Sequence, residues 1–128
     1  MNTQDKRRNV AVWFEIPATD FKRAVTFYET IMAVKLKRED MEAFKLGIFP
    51  CAEPATSGCV IHGGEHKPCG EGVMIYLNCD GKLDAVIGRV GDAGGKVLMP
   101  TITLPDGMGV FTHILDSEGN RIGLHAVT

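Results

Sequence analysis

Residues 14–36 read FEIPATDFKRAVTFYETIMAVKL, and this stretch decides the fold. Its beginning belongs to VAVWFEI at 10–16, whose β-branched and aromatic residues predict a strand that ends before Pro17. Thr19 and Asp20 are suitable N-caps for a helix. Apolar residues then recur at the spacing of one helix face, which predicts an amphipathic helix. The residues of this face are Phe21, Val25, Tyr28 and Met32.

The order of strand, helix and three strands occurs twice along the chain. The apolar stripe of the second helix runs from Leu83 to Val90, and Gly94-Gly95 is a suitable stop for that helix. The strands are predicted at 10–16, 33–38, 43–49, 58–62, 72–79, 96–100, 109–116 and 120–127. A repeat that covers half of the chain indicates two copies of one βαβββ unit rather than a solenoid of many short repeats.

These elements predict a single α+β domain over residues 1–128. Module one covers about 9–62 and module two about 72–127, and the Gly- and Pro-containing segment 63–72 is the expected linker. Each module has one helix on the outer side of a curved sheet. Two such sheets can oppose each other, so we expect them to form the walls of a cleft.

Composition excludes several classes of function. The chain has 128 residues, 45% of them hydrophobic, and a net charge of -2, which argues against a partner that is a nucleic acid or an anionic membrane. We expect a cytoplasmic protein, because no apolar stretch reaches about 18 residues and the first residues lack the apolar core of a signal peptide. No glycine-rich nucleotide motif is present, so no nucleotide cofactor is expected. The four cysteines, Cys51, Cys59, Cys69 and Cys79, fit neither a zinc ribbon nor a redox pair.

The segments 14–36 and 116–125, the latter DSEGNRIGLH, resemble the vicinal oxygen chelate superfamily. That superfamily holds glyoxalase I, extradiol dioxygenases, fosfomycin-inactivating enzymes and bleomycin-binding proteins. The resemblance extends from about residue 10 to 127 and is greatest to small, uncharacterised glyoxalase-like proteins. It implies paired βαβββ modules and a homodimer.

The resemblance leaves three functions open. The first is a glyoxalase-like lyase or isomerase, or a dioxygenase-related enzyme, that acts on a small oxygenated or thiol-conjugated metabolite. The second is a non-catalytic protein that binds and sequesters a small, antibiotic-type molecule, as bleomycin-binding relatives do. The third is a scaffold whose cleft is vestigial.

The resemblance also implies a divalent metal, held by the first and last strands of each module. The four positions fall on Trp13, His62, Ile75 (or Met74, if the register slips by one) and Gly123. Only His62 among them can bind a metal. We therefore expect the usual metal site to be absent, although a divalent metal cofactor in another geometry stays open.

Strand alternation identifies the polar residues that share a face with these positions. Glu15 lies on the face of Trp13, and His125 on the face of Gly123. One hypothesis is that Glu15, His62 and His125 form a catalytic acid/base cluster or a displaced metal site. The alternative is structural: Glu15 bonds a backbone group or the partner subunit, and His125 caps the sheet.

Aromatic residues suggest a ligand-binding surface. Trp13 stands at a ligand position of the family, and Tyr76 and Phe111 could extend a surface for a planar ligand, with a place in the core as the alternative. His113 could lie nearby, but its facing depends on the register of the last hairpin. The loop 104–111, LPDGMGVF, is either a flap over the cleft or an ordinary hairpin turn.

Overall fold

The structure is a computed structural model, and it describes residues 10–52 and 55–128. Two βαβββ units follow one another, and the second contains one additional short strand. The elements of the first unit are β1 (Trp13–Pro17), α1 (Phe21–Met32), β2 (Lys37–Met41), β3 (Phe44–Ile48) and β4 (Ser57–His62). Those of the second are β5 (Tyr76–Asn78), α2 (Leu83–Val90), β6 (Lys96–Val97), β7 (Ile102–Thr103), β8 (Val110–Leu115) and β9 (Arg121–Ala126). The α+β prediction is confirmed.

Helix α1 begins and ends where the sequence predicts. The Asp20 side chain accepts a hydrogen bond from the backbone N–H of Arg23 at 3.0 Å, which satisfies one of the free donors of the first turn. Ala33 adopts a left-handed conformation with φ 55° and ends the helix. The buried face comprises Ala24, Val25, Phe27, Tyr28 and Ile31.

The strands form two separate sheets with the same internal order. The first sheet has the order β1-β4-β3-β2, and the second has β5-β9-β8-β6, with β7 paired to β8. In each sheet the first strand of the unit runs parallel to the last strand. The two sheets are not closed into one barrel.

Both units contribute to one hydrophobic core. The buried cluster includes Val25 and Tyr28 of α1 together with Val86 of α2 and Leu124 of β9. Residues that alternate with the core residues point to the other side of each sheet, which we call its helix-free face. Neither helix in the described ranges has the length and apolarity needed to span a bilayer.

The turn between β8 and β9, residues 116–120, joins the two units. Tyr28 donates its hydroxyl hydrogen to Asp116 Oδ2 at 2.6 Å, and Asn120 Nδ2 donates to the Pro17 carbonyl at 2.8 Å. Arg23 Nε lies 2.7 Å from Glu118 Oε2 in an ion pair across the same boundary. The carboxyl of Asp116 is therefore a buried acceptor that holds α1 against the second unit.

Four strands differ by three or more residues at one end from the sequence prediction. The strand predicted at 10–16, expected to end before Pro17, lies at Trp13–Pro17. The strand predicted at 33–38 lies at Lys37–Met41, because Ala33 caps the helix and the Leu36 N–H bonds Glu29 Oε2 at 2.9 Å. The strand predicted at 72–79 is limited to Tyr76–Asn78. The strand predicted at 96–100 is Lys96–Val97, and β7 was not foreseen.

Candidate ligand-binding site

The helix-free face of the second sheet carries three neighbouring rings. Strand pairing places Gly123 of β9 between Tyr76 of β5 and His113 of β8, and it places His125 opposite Phe111. The facing of His113, which the sequence left open, is thus the face of Gly123. We call Tyr76, Phe111 and His113 the aromatic cluster.

The rings of the aromatic cluster are in mutual contact and partly open to solvent. The centroids of Tyr76 and Phe111 lie 5.9 Å apart at an interplanar angle of 77°, and His113 lies 5.5 Å from each of them. These separations are within the range of favourable aromatic pairs. Tyr76 is 47% exposed, so its ring can contact a ligand.

A chain of hydrogen bonds runs through this cluster. Arg121 Nε donates to His113 Nδ1 at 3.1 Å, and His113 Nε2 lies 2.7 Å from the Tyr76 hydroxyl. Partial burial lowers the pKa of His113 below its ordinary value of 6.5, and the positive charge of Arg121 lowers it further by a smaller amount. The lowered pKa favours the neutral form of the imidazole.

Gly123 leaves room for the ring of Tyr76. A Cβ atom at Gly123 would lie 2.3 Å from Tyr76 Cδ1, closer than nonbonded atoms approach. The ring therefore occupies the space into which a carboxylate at this position would extend.

The residues at the four family positions do not fit a metal. Trp13, Ile75 and Gly123 carry no side-chain atom suited to a divalent cation. Throughout residues 10–52 and 55–128, no three His, Cys, Asp or Glu side chains are grouped so that they could hold a metal ion.

His62 lies away from the predicted cleft. It alternates with the buried Val60, so it points to the helix side of its sheet, and its Nδ1 donates to the Ala18 carbonyl at 2.9 Å. Two open clefts of ≈ 470 Å³ and ≈ 570 Å³ flank it, and Lys45 lines both. The sequence placed His62 on the cleft face. Residues two apart in a strand point to the same side, however, so His62 shares a face with the core residue Val60.

Trp13 and Glu15 lie on the helix-free face of the first sheet. Trp13 is 45% exposed, and its Nε1 donates to Glu15 Oε2 at 3.4 Å. Cys59 pairs with Glu15 across the strands. Burial, with a smaller effect of the Glu15 charge, raises the pKa of the Cys59 thiol to about 12.

The predicted cluster of Glu15, His62 and His125 does not form. Glu15 lies on the first sheet, His62 on the helix side of that sheet, and His125 on the second sheet. Within the described ranges, no hydrogen bond, ion pair or ring contact connects any two of them. Among the described residues they also do not belong to any group of three His, Cys, Asp or Glu side chains that could hold a metal ion.

His125 has a local structural partner. Its Nε2 donates to the Met108 carbonyl at 2.7 Å, which fixes the loop between β7 and β8. That loop is further closed by the bond from the Leu104 N–H to the Gly109 carbonyl at 2.7 Å. The geometry favours the hairpin-turn interpretation of the loop and a structural role for His125.

Sequence reasoning missed Arg121 and Asp116. Arg121 alternates with Gly123 and His125, so the same argument that placed those two could have placed Arg121 on the helix-free face. The role of Asp116 left no comparable signal, since its partner Tyr28 is 88 residues away along the chain.

Solved structures share this architecture. TnmS3, an antibiotic binding protein from Streptomyces, superposes with a TM-score of 0.69 at 22% identity, over 94% of this chain and 97% of its own. The chain has the glyoxalase/bleomycin resistance protein fold. A glyoxalase/bleomycin resistance protein from Albidiferax ferrireducens matches with a TM-score of 0.68 at 13% identity, over 92% of this chain and 98% of its own. These neighbours share the fold that the sequence resemblance implies.

Glyoxalase I from Zea mays also has this fold. It matches with a TM-score of 0.67 at 15% identity, over 94% of this chain and 48% of the maize chain. The chain thus spans about half the length of the maize protein. No family model and no curated protein matches the sequence. One fold hosts many functions, so the fold alone does not define the function of this chain.

Proposed function

We propose that the protein binds a small aromatic molecule at the aromatic cluster of the second sheet. The observation that carries this proposal is the position of Tyr76: its ring covers Gly123, where a metal-binding carboxylate would stand, and it is partly exposed. The structural neighbour TnmS3 is an antibiotic binding protein, which supports the same class of function.

The physical chemistry of the cluster favours an aromatic ligand. Exposed rings that already contact one another at fixed angles offer both faces and edges to a further ring. Such contacts contribute about 0.5–1.5 kcal/mol each beyond the area that they bury. Ile102, which pairs with Phe111 and is exposed, extends the apolar surface at one side.

The glyoxalase-like enzyme implied by the sequence has weaker support. Its three proposed catalytic residues, Glu15, His62 and His125, lie on different faces, and the family metal positions lack ligating side chains. The binding function needs neither feature. A homodimer and a cytoplasmic location stay predictions, and sedimentation velocity of the full chain tests the first of these.

Titration with two aromatic probes, fluorene and 9-fluorenone, tests the proposal. We expect the probes to shift the amide NMR signals of β5, β8 and β9, and the Phe111→Leu variant to bind them about five times more weakly through the loss of one ring contact. Trp13→Leu is the matched control on the first sheet and should bind as the native chain does. Probe contacts centred on Trp13, or no binding of either probe, would contradict the proposal.

A further inference from the structure

The hydrogen-bond chain of Arg121, His113 and Tyr76 has a defined direction. A guanidinium only donates hydrogen bonds, so His113 Nδ1, at 3.1 Å from Arg121 Nε, must be the acceptor. A neutral imidazole with an unprotonated Nδ1 carries its hydrogen on Nε2. His113 Nε2 therefore donates to the Tyr76 oxygen, which lies 2.7 Å away.

This direction leaves the Tyr76 hydroxyl hydrogen free. The Tyr76 oxygen accepts from His113, so its own hydrogen does not serve that bond and is available on the exposed side of the ring. Within residues 10–52 and 55–128, the hydroxyl has no second hydrogen-bond partner. A hydroxyl that already accepts a hydrogen bond becomes a better donor, because successive bonds polarise one another.

The positive charge of Arg121, at the other end of the hydrogen-bond chain, also strengthens the Tyr76 hydroxyl as a donor. In the part of the chain that the structure describes, Arg121 forms no ion pair with a carboxylate. Its positive charge is thus not neutralised by a carboxylate. This charge polarises the imidazole and the Tyr76 hydroxyl, so the hydroxyl hydrogen interacts more strongly with a negative or electron-rich atom of a ligand. A cationic group of a ligand is disfavoured at the same position.

We propose that Tyr76 selects aromatic ligands that present an acceptor oxygen, a carbonyl or a phenolate, at the edge of the ring system. His113 and Arg121 are positioning residues that orient the Tyr76 hydroxyl as a donor. The inference rests on the proposed function: the rings of the cluster bind the aromatic part, and the hydroxyl specifies the oxygen.

The comparison of 9-fluorenone with fluorene tests the selection, since the two probes share one ring skeleton and differ in a single carbonyl group. We expect the native chain to bind 9-fluorenone about five to ten times more tightly, the value of one net hydrogen bond. Tyr76→Phe keeps the ring and loses only the hydroxyl, so it should bind 9-fluorenone and fluorene with equal affinity. Infrared spectra should show a lower carbonyl stretching frequency for 9-fluorenone in the native complex than in the Tyr76→Phe complex.

A second variant tests the orientation. Arg121→Met frees His113 Nδ1, so the imidazole can accept from the Tyr76 hydroxyl, and the preference for 9-fluorenone should fall while fluorene still binds. The nitrogen NMR shifts of His113 should report an Nε2–H tautomer in the native chain and a mixture of tautomers in the variant. A persistent preference together with a native Nδ1–H tautomer would overturn the role of Arg121.

The outcomes separate this inference from the proposed function. Equal binding of the two probes at the aromatic cluster would overturn the selection by Tyr76 and leave the proposed function intact. Binding of neither probe would contradict both. An unchanged preference in Tyr76→Phe, with the native carbonyl frequency, would also overturn the selection.

Discussion

The helix-free faces of the two sheets differ in chemistry, although their strands follow the same order. The first face presents Trp13 bonded to Glu15, beside the buried thiol of Cys59. The second presents three rings in contact and a hydrogen-bond chain that begins at Arg121. The second face thus carries a hydrogen-bond chain that ends in a group of rings, whereas the first carries a single hydrogen bond between Trp13 and Glu15. The order of the strands does not determine this difference; the side chains that meet across adjacent strands do.

The largest expected effect concerns the turn that holds the two units together. Asp116 is 4% exposed and accepts from the Tyr28 hydroxyl, from Asn120 Nδ2 and from the backbone N–H groups of Glu118 and Asn120. Asp116→Ala leaves these donors without a partner, so we expect the free energy of unfolding to fall by at least about 3 kcal/mol in urea titrations. Glu39→Ala, an exposed acid of the first sheet, is the control. Equal midpoints for the two variants would show that the units do not depend on this carboxyl.

The next-largest expected effect on stability comes from a comparison of Gly123, on the second face, with Gly88, in α2. Gly123→Ala forces the ring of Tyr76 to move, because the new Cβ would lie 2.3 Å from it. We expect a loss of about 1–3 kcal/mol in stability and weaker binding of fluorene. At Gly88 in α2 a Cβ meets nothing within 4 Å, so Gly88→Ala should stabilise the chain by up to about 1 kcal/mol. A Gly123→Ala variant of native stability would contradict the close contact with Tyr76.

A pH experiment probes the first face. The pKa of Cys59 is raised by burial and by Glu15 from 9.0 to about 12, so the protonated thiol stabilises the fold below pH 9 and this contribution is lost as the pH rises toward 12. The free energy of unfolding in urea should therefore decrease from pH 8 to pH 10, and this decrease should be about 1 kcal/mol smaller in Cys59→Ala. Cys51→Ala, at an exposed thiol, should not change the decline. An identical decline in Cys59→Ala would contradict the raised pKa.

The smallest expected effect also concerns the first face. Glu15 is one of the three catalytic candidates of the sequence, and its carboxylate accepts a hydrogen bond from the Trp13 ring nitrogen on the first sheet. Glu15→Gln should leave the affinity for 9-fluorenone within a factor of about two, as calorimetry can measure. A tenfold loss would move the binding site to the first sheet.

Local signals in the sequence were sufficient for the elements that build the fold. Helix α1 follows from its apolar spacing and the cap at Asp20, and the alternation of β1 and β9 correctly paired Trp13 with Glu15 and Gly123 with His125 on common faces. These features depend on neighbours within a few residues of each other. Periodicity alone therefore predicts them.

The assembled site depends on contacts that are distant along the chain. The place of His113 in the aromatic cluster depends on the strand register, which pairs it with Gly123 and brings it beside Tyr76, 37 residues away. The sequence placed His62 on the wrong face of its sheet, because a shift of one residue along a strand reverses the side to which a side chain points. The assignment of Glu15 and His125 to two different sheets is likewise set by strand pairing between distant parts of the chain.

Intermolecular NOE measurement on the complex with 9-fluorenone tests the central claim most directly. We expect contacts from the probe hydrogens to the ring hydrogens of Tyr76 and Phe111, and none to the indole of Trp13. Contacts to Trp13 and none to Tyr76 or Phe111 would contradict it.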